Sequence, residues 1–188
     1  IVAVALGLLV TAGSLPCSVR AGELRAYPDV TLVAHDSNDG DSVHVQIGSN
    51  ERTIRLYFVD CPETSVATET GARRVRTQTR FFGLPDHATT IAYGQQAAAF
   101  VRKQLSSPFT LYTSLASAPG RTSGGRVYGF VETAEGKSLA TLLVQHGLAR
   151  AYGVARKTPA GVHHAEMAAR LEDMESAAML GRRGIWAD

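Results

Sequence analysis

Two short acidic stretches carry most of the chemical promise of this chain. Asp39-Gly40-Asp41 opens one alternating apolar run, and Asp60-Cys61-Pro62-Glu63 closes the next, with Arg55 between them. Carboxylates and backbone carbonyls are hard oxygen ligands, suited to Ca2+ or Mg2+. A metal, a carboxylate base and an arginine are the parts that phosphodiester hydrolysis uses. Asp41 and Asp60 flank the same end of the predicted hairpin, so pairing of the two runs brings them together. Arg55 alternates away from Ile54 and Leu56, and Pro62 holds Glu63 on an exposed turn. Either motif alone reads as an ordinary turn or a capped loop. Their joint occurrence around Arg55 is what points to chemistry. Zinc has no comparable signal: there is no CxxC or His-x-x-x-His spacing. His163 and His164 are adjacent, so a helix would point them apart, as surface residues.

The elements that must position these groups follow from periodicity. Val30–Ala34, the alternation Val43, Val45, Ile47 and the alternation Ile54, Leu56, Phe58 predict a three-stranded meander, with Gly48-Ser49-Asn50 as a turn. A helix is predicted over about Ile91–Leu105, with Tyr93, Ala97, Phe100 and Val101 on one face. Phe109–Thr113 and Val127–Val131 read as two more strands, joined by a Gly, Ser and Pro-rich linker from Ser117 to Gly125. A short helix carries Leu139, Leu142 and Leu143 and stops at Gly147. Thr158-Pro159 predicts the start of a last helix, in which Met167, Leu171, Met174 and Ala178 share a face. The order βββ-α-ββ-α-α is the element count of a five-stranded, OB-like Greek-key barrel with three or four helices, an α+β fold.

The stretch Thr64–Thr90 lacks clean periodicity. It carries Arg73, Arg74, Arg76 and Arg80 against two acids, Glu69 and Asp86. A helix capped by Thr70 and ended by Gly83 would place Val75 and Phe82 on the barrel and leave the four arginines toward solvent beside the metal site. There they would clamp phosphates flanking the cleaved bond; the competing reading is a plain solvated loop.

On these residues the sequence resembles the staphylococcal nuclease (thermonuclease) family. The resemblance rests on DGDSVHV (residues 39–45), RTIRLYFVDCPET (52–64), YGQQAAAFV (93–101), GRVYGFVE (125–132), LVQHGLARAY (143–152) and RRGIW (182–186), in family order. It implies a Ca2+-dependent phosphodiesterase acting on DNA and/or RNA. Matched residue by residue, Asp41, Asp60 and the carbonyl of Cys61 are the implied calcium ligands. Glu63 is the implied general base, and Arg55 and Arg126 are the implied phosphate-binding arginines. Cys61 stands where the family has threonine, and Gly124 where the staphylococcal enzyme has a nucleotide-contacting tyrosine. Tyr152 lies one position before a second such tyrosine. The main alternative is a nucleic-acid-binding module that keeps the fold and has lost catalysis; an OB module for a sugar or protein ligand is a third reading.

Composition sets the remaining bounds. Hydrophobic residues make up 45% and charged residues 19% of 188 residues, which excludes whole-chain disorder and collagen-like classes. The net charge of +2 does not by itself call for a polyanionic partner. The 16 Arg against 3 Lys suit bidentate phosphate contacts, although codon bias produces the same ratio. Ile1–Val10 is almost continuously apolar, and Val19-Arg20-Ala21 fits a signal-peptidase site. Residues 1–21 are therefore expected to be a cleaved signal and 22–188 a single exported domain, periplasmic or extracellular; a retained anchor is the alternative. Cys17 would leave with the signal, and Cys61 alone forms no internal disulfide. A monomer without an obligatory protein partner is expected.

Overall fold

The computed structural model describes residues 22–118 and 125–187. The expected signal segment, Cys17 and Gly124 lie outside those residues. Five strands close into a barrel: β1 (Arg25–Leu32), β2 (Ser42–Ile47), β3 (Asn50–Leu56), β5 (Phe109–Thr113) and β6 (Arg126–Glu132), in the order β1-β2-β3-β6-β5, with β5 closing on β1. Every pair is antiparallel except β3–β6. The expected α+β, OB-like barrel is the observed fold. Val43, Val45, Ile54, Leu56, Leu111 and Val131 fill its interior, because alternation sends every second side chain inward. At Gly129 a Cβ would lie 2.6 Å from Leu111 and 2.9 Å from Ile54, so the interior has no room there for a side chain.

Two further strands of two residues each, β4 (Val59–Asp60) and β7 (Arg150–Ala151), pair outside the barrel. Phe58, between β3 and β4, adopts φ 69°, a region rarely used by a residue with a Cβ. Its amide donates to the Val154 carbonyl at 3.0 Å, and its carbonyl accepts from Tyr152 at 2.8 Å. The bend throws β4 off the barrel and toward β7.

Four helices surround the barrel. The segment after Glu63 forms α1 (Glu69–Phe82), capped by Thr68 rather than Thr70 and ended by Gly83 at φ 68°. Val75 and Phe82 are buried on it as the spacing predicts. Asp86 then caps α2 (His87–Gln104), which lays Ala97 and Val101 against the core. The short helix is α3 (Leu139–Gln145), with Gly147 beyond it at φ 65°.

The last helix, α4 (His164–Leu180), starts at the His163 cap and not at Thr158-Pro159. Those two residues form a turn, with the Thr158 hydroxyl accepting from the Val162 amide at 3.0 Å. Gly161 at φ 85° cannot belong to a right-handed helix, which delays the start. His163 and His164 are both exposed, but their rings lie 4.1 Å apart instead of diverging, because His163 is the cap and only His164 is in the helix. The first strand also begins earlier than its apolar run. Arg25–Tyr27 pair with β5 along a largely exposed stretch, and a register shift between Tyr27 and Val30 hides the alternation. Among the described residues no helix is long and apolar enough to cross a membrane.

Leu171 of α4 is fully buried and also lines the cleft beneath β4 and β7. Leu171→Ala should cost about 2–5 kcal/mol of stability. Urea denaturation should show it as a lower midpoint at an unchanged slope.

Candidate active site

The β2–β3 register pairs Ser42 directly with Arg55. Just before β2, the Asp39 carboxylate accepts from the amides of Asp41 at 2.9 Å and Ser42 at 2.6 Å, which fixes the turn and aims Asp41 inward. Asp41 is almost wholly buried and accepts from the Cys61 amide at 2.8 Å. Its other oxygen receives Arg55 Nη1. The second guanidinium nitrogen of Arg55 reaches Asp60 at 3.0 Å, so one arginine ties the two carboxylates together.

Asp60 collects further partners. β4–β7 pairing sets it opposite Arg150, whose Nη2 lies 2.9 Å from its carboxylate. Arg74 on α1 reaches it at 2.8 Å, and the Gln78 amide at 3.1 Å. Gln78 also donates to the Cys61 carbonyl at 2.8 Å and accepts from the Glu63 amide at 2.9 Å. The Glu63 carboxylate meets Arg74 Nη1 at 2.7 Å. Arg126 enters from β6, opposite Thr53 in the parallel pair, and donates to the Ser42 hydroxyl at 3.1 Å.

Two glycines permit this crowding. A Cβ on Gly40 would stand 2.6 Å from the Cys61 sulfur, and one on Gly94 of α2 would stand 2.4 Å from the Glu63 carbonyl oxygen. The backbone of Pro62 and Glu63 thus rests directly on α2.

The electrostatics divide the acids. Burial pushes Asp41 up to about 7; Arg55 opposes the rise while Asp39 and Asp60 add to it. Asp41 therefore keeps a proton well into the range where an exposed aspartate is ionised. Burial would also raise Asp60, but Arg150, Arg55 and Arg74 outweigh it and hold that carboxyl below its ordinary range. Burial would lower Arg55 and Arg74, and their carboxylate neighbours overcome it and keep both firmly charged. Arg126 is pushed down by burial and by the nearby Arg55. The buried Cys61 thiol is driven up by burial and three aspartates, so it is no nucleophile at neutral pH.

Arg55, Asp60, Arg74, Gln78, Arg126 and Arg150 border a cleft of about 820 Å3, joined there by Arg73 and Glu172, while Asp41, Cys61 and Glu63 lie behind its lining. At its edge the Arg150 guanidinium lies between Phe81 and Tyr152, 4.6 and 4.4 Å from the ring centroids. Such an arginine-rich cleft with exposed rings suits a polyanion with stacking bases. A family model described as staphylococcal nuclease homologue matches residues 53–188. The chain belongs to that family.

Members of the staphylococcal nuclease family are generally nucleases, so the domain is nuclease-like or nucleic-acid-binding. Arg55, Asp60, Cys61, Glu63 and Arg126 fall inside the match, and Asp41 lies just before it. No curated protein matches the chain.

Measured against the sequence reading, the barrel brings Asp41, Arg55, Asp60, Cys61, Glu63 and Arg126 together. The four arginines of α1 do not act alike. Arg76 and Arg80 are exposed, and Arg73 is exposed at the cleft. Arg74 is not left to solvent: it turns inward onto Asp60 and Glu63. Gln78 and Arg150 were not anticipated. Gln78 carried a readable signal, because it falls on the Val75–Phe82 stripe, where a polar residue must find partners. For Arg150 no local pattern gave notice, since its partner sits 90 residues away. Among the described residues no group of three or more His, Cys, Asp or Glu side chains is gathered as a metal cluster.

Gly94→Ala should displace the Glu63 backbone, because the added methyl meets main chain that cannot swing aside. The variant should lose about 1–3 kcal/mol of stability and most of its activity, measured by thermal melting and by cleavage of nucleic acid.

Proposed function

We propose that this protein is a Ca2+-dependent nuclease that hydrolyses phosphodiester bonds of DNA and/or RNA. The observation that carries the reading is Arg55 joining Asp41 and Asp60 at the rim of an arginine-lined cleft, with Arg126 converging on the same Ser42 hydroxyl. The donor set fits a hard divalent ion: two carboxylates, Asp41 and Asp60, and the Cys61 carbonyl would hold it. With so few protein donors, water and substrate oxygens must complete the shell, which Ca2+ tolerates better than Mg2+. When bound, the metal supplies positive charge against the phosphate oxygens.

The chain's own residues do the rest. Glu63 accepts a proton from the attacking water as its oxygen bonds to phosphorus. The bond to the leaving oxygen breaks with its electron pair, and solvent protonates that oxygen. Arg55 and Arg126 donate to the non-bridging oxygens, where charge accumulates in the transition state. Gln78 steadies Glu63 through its amide, and the Cys61 side chain takes no part. Arg73 and Tyr152 contact the strand on either side of the cleaved bond, and Arg76 and Arg80 add long-range attraction. A second reading, binding without cleavage, draws support from one observation: the proposed metal donors already carry hydrogen bonds from arginines and Gln78.

Purified protein incubated with single- and double-stranded DNA and with RNA should cleave in Ca2+, far more slowly in Mg2+ and not in EDTA. Binding that persists in EDTA, with no cleavage in any metal, would establish the second reading.

Single variants separate the roles. Arg55→Lys and Arg126→Lys should lower kcat by about 10²-fold or more with smaller changes in KM. Glu63→Gln should retain nucleic-acid binding, read by fluorescence anisotropy, while losing most of the rate.

A further inference from the structure

Arg74 adds its two ion pairs to a cluster that is already crowded. Asp60 already has Arg55, Arg150 and Gln78, yet Arg74 adds a third guanidinium to it and bridges on to Glu63. Arg55, Arg74 and Arg150 thus stand against Asp41, Asp60 and Glu63, and Arg126 and Asp39 add one charge of each sign at the Ser42 end of the cluster. A divalent cation entering such a balanced cluster gains little attraction until one guanidinium withdraws.

Only one of the three is built to withdraw. Arg55 belongs to a barrel strand, and its side chain is 12% exposed. Arg150 is equally buried and wedged between Phe81 and Tyr152. Arg74 is 34% exposed, sits on a helix outside the barrel, and lines the open cleft beside Arg73. A change of side-chain rotamer takes it from the carboxylates to the cleft with no movement of the main chain. Gln78, one turn further along α1, keeps hold of the Glu63 amide meanwhile.

We propose that Arg74 is an exchangeable counter-ion. It covers Asp60 and Glu63 while the metal is absent, yields both when a divalent cation binds, and turns its guanidinium to a nucleic-acid phosphate in the cleft. The exchange replaces single contacts to two carboxylates with contacts to a phosphate, a partner change to which arginine's planar fork is suited. It also frees Glu63 to accept a proton only once the metal is in place. This inference rests on the nuclease reading above.

The test is Arg74→Gln in the full chain, with two binding measurements and no dependence on turnover. Calorimetric titration with Ca2+ alone should show about tenfold tighter binding, since a competing cation is gone. A cleavage-resistant phosphorothioate oligonucleotide at saturating Ca2+ should bind about tenfold more weakly, with the salt slope reduced by about 1. A merely structural role would weaken both, and that result, or no change in either, overturns the proposal. On the unaltered protein, the Nε–H signal of Arg74 in NMR spectra should shift on adding Ca2+; an unmoved Arg74 signal also overturns the proposal. Wild-type binding of Ca2+ without gain in the variant removes the exchange alone. Failure of both proteins to bind Ca2+ removes the metal reading and the exchange with it.

Discussion

Two carboxylates buried at the lip of a barrel have no water to solvate them, and arginine must supply what water would. Asp41 and Asp60 are each almost wholly inaccessible. An unpaired ionised carboxylate in such a place would cost many kcal/mol or give up its charge. Arg55 bridges the two from its strand position opposite Ser42, helping Arg74 and Arg150 to hold Asp60 ionised and moderating the rise at Asp41. Most of the surrounding architecture follows from keeping that bridge intact. The Asp39 turn aims one acid, the left-handed Phe58 diverts the chain that carries the other, and Gly40 and Gly94 let neighbouring backbones close in.

A buried ion network of this kind is weak evidence for stability, because desolvation offsets much of its attraction. Its value lies in placement. Asp41 and Asp60 end up with opposite shifts although both are buried, and the difference is arithmetic: Asp60 has three arginines, whereas Asp41 has one arginine and two acidic neighbours. The hydrophobic work is done elsewhere, by Val43, Val45, Ile54, Leu111 and the helix faces that seal the barrel.

The barrel strands and three of the helices were legible because alternation and a 3.6-residue period report directly on burial. The Asp-Gly-Asp and Asp-Cys-Pro-Glu motifs were legible because hairpin pairing is local. What escaped was set by distant partners. β4 and β7 are two residues long and leave no periodic trace. Arg74 sits in a run of arginines that looks uniformly solvent-facing, yet a helix gives each residue its own direction, and only this one points at Asp60. The start of α4 was misread because Thr158-Pro159 has the chemistry of a helix cap and Gly161 then forbids continuation.

The separation of Asp60 from Arg150, 90 residues along the chain, has a consequence for biogenesis. Ser42 and Arg126 are likewise 84 residues apart. A chain emerging from the ribosome exposes Asp41, Arg55, Asp60, Glu63 and Arg74 long before Arg126 and Arg150, which complete the cluster. Non-local pairing of this kind is slow to form. The full cluster is therefore among the last features to be assembled, and a chain that ends before residue 126 carries its carboxylates with Arg55 and Arg74 alone.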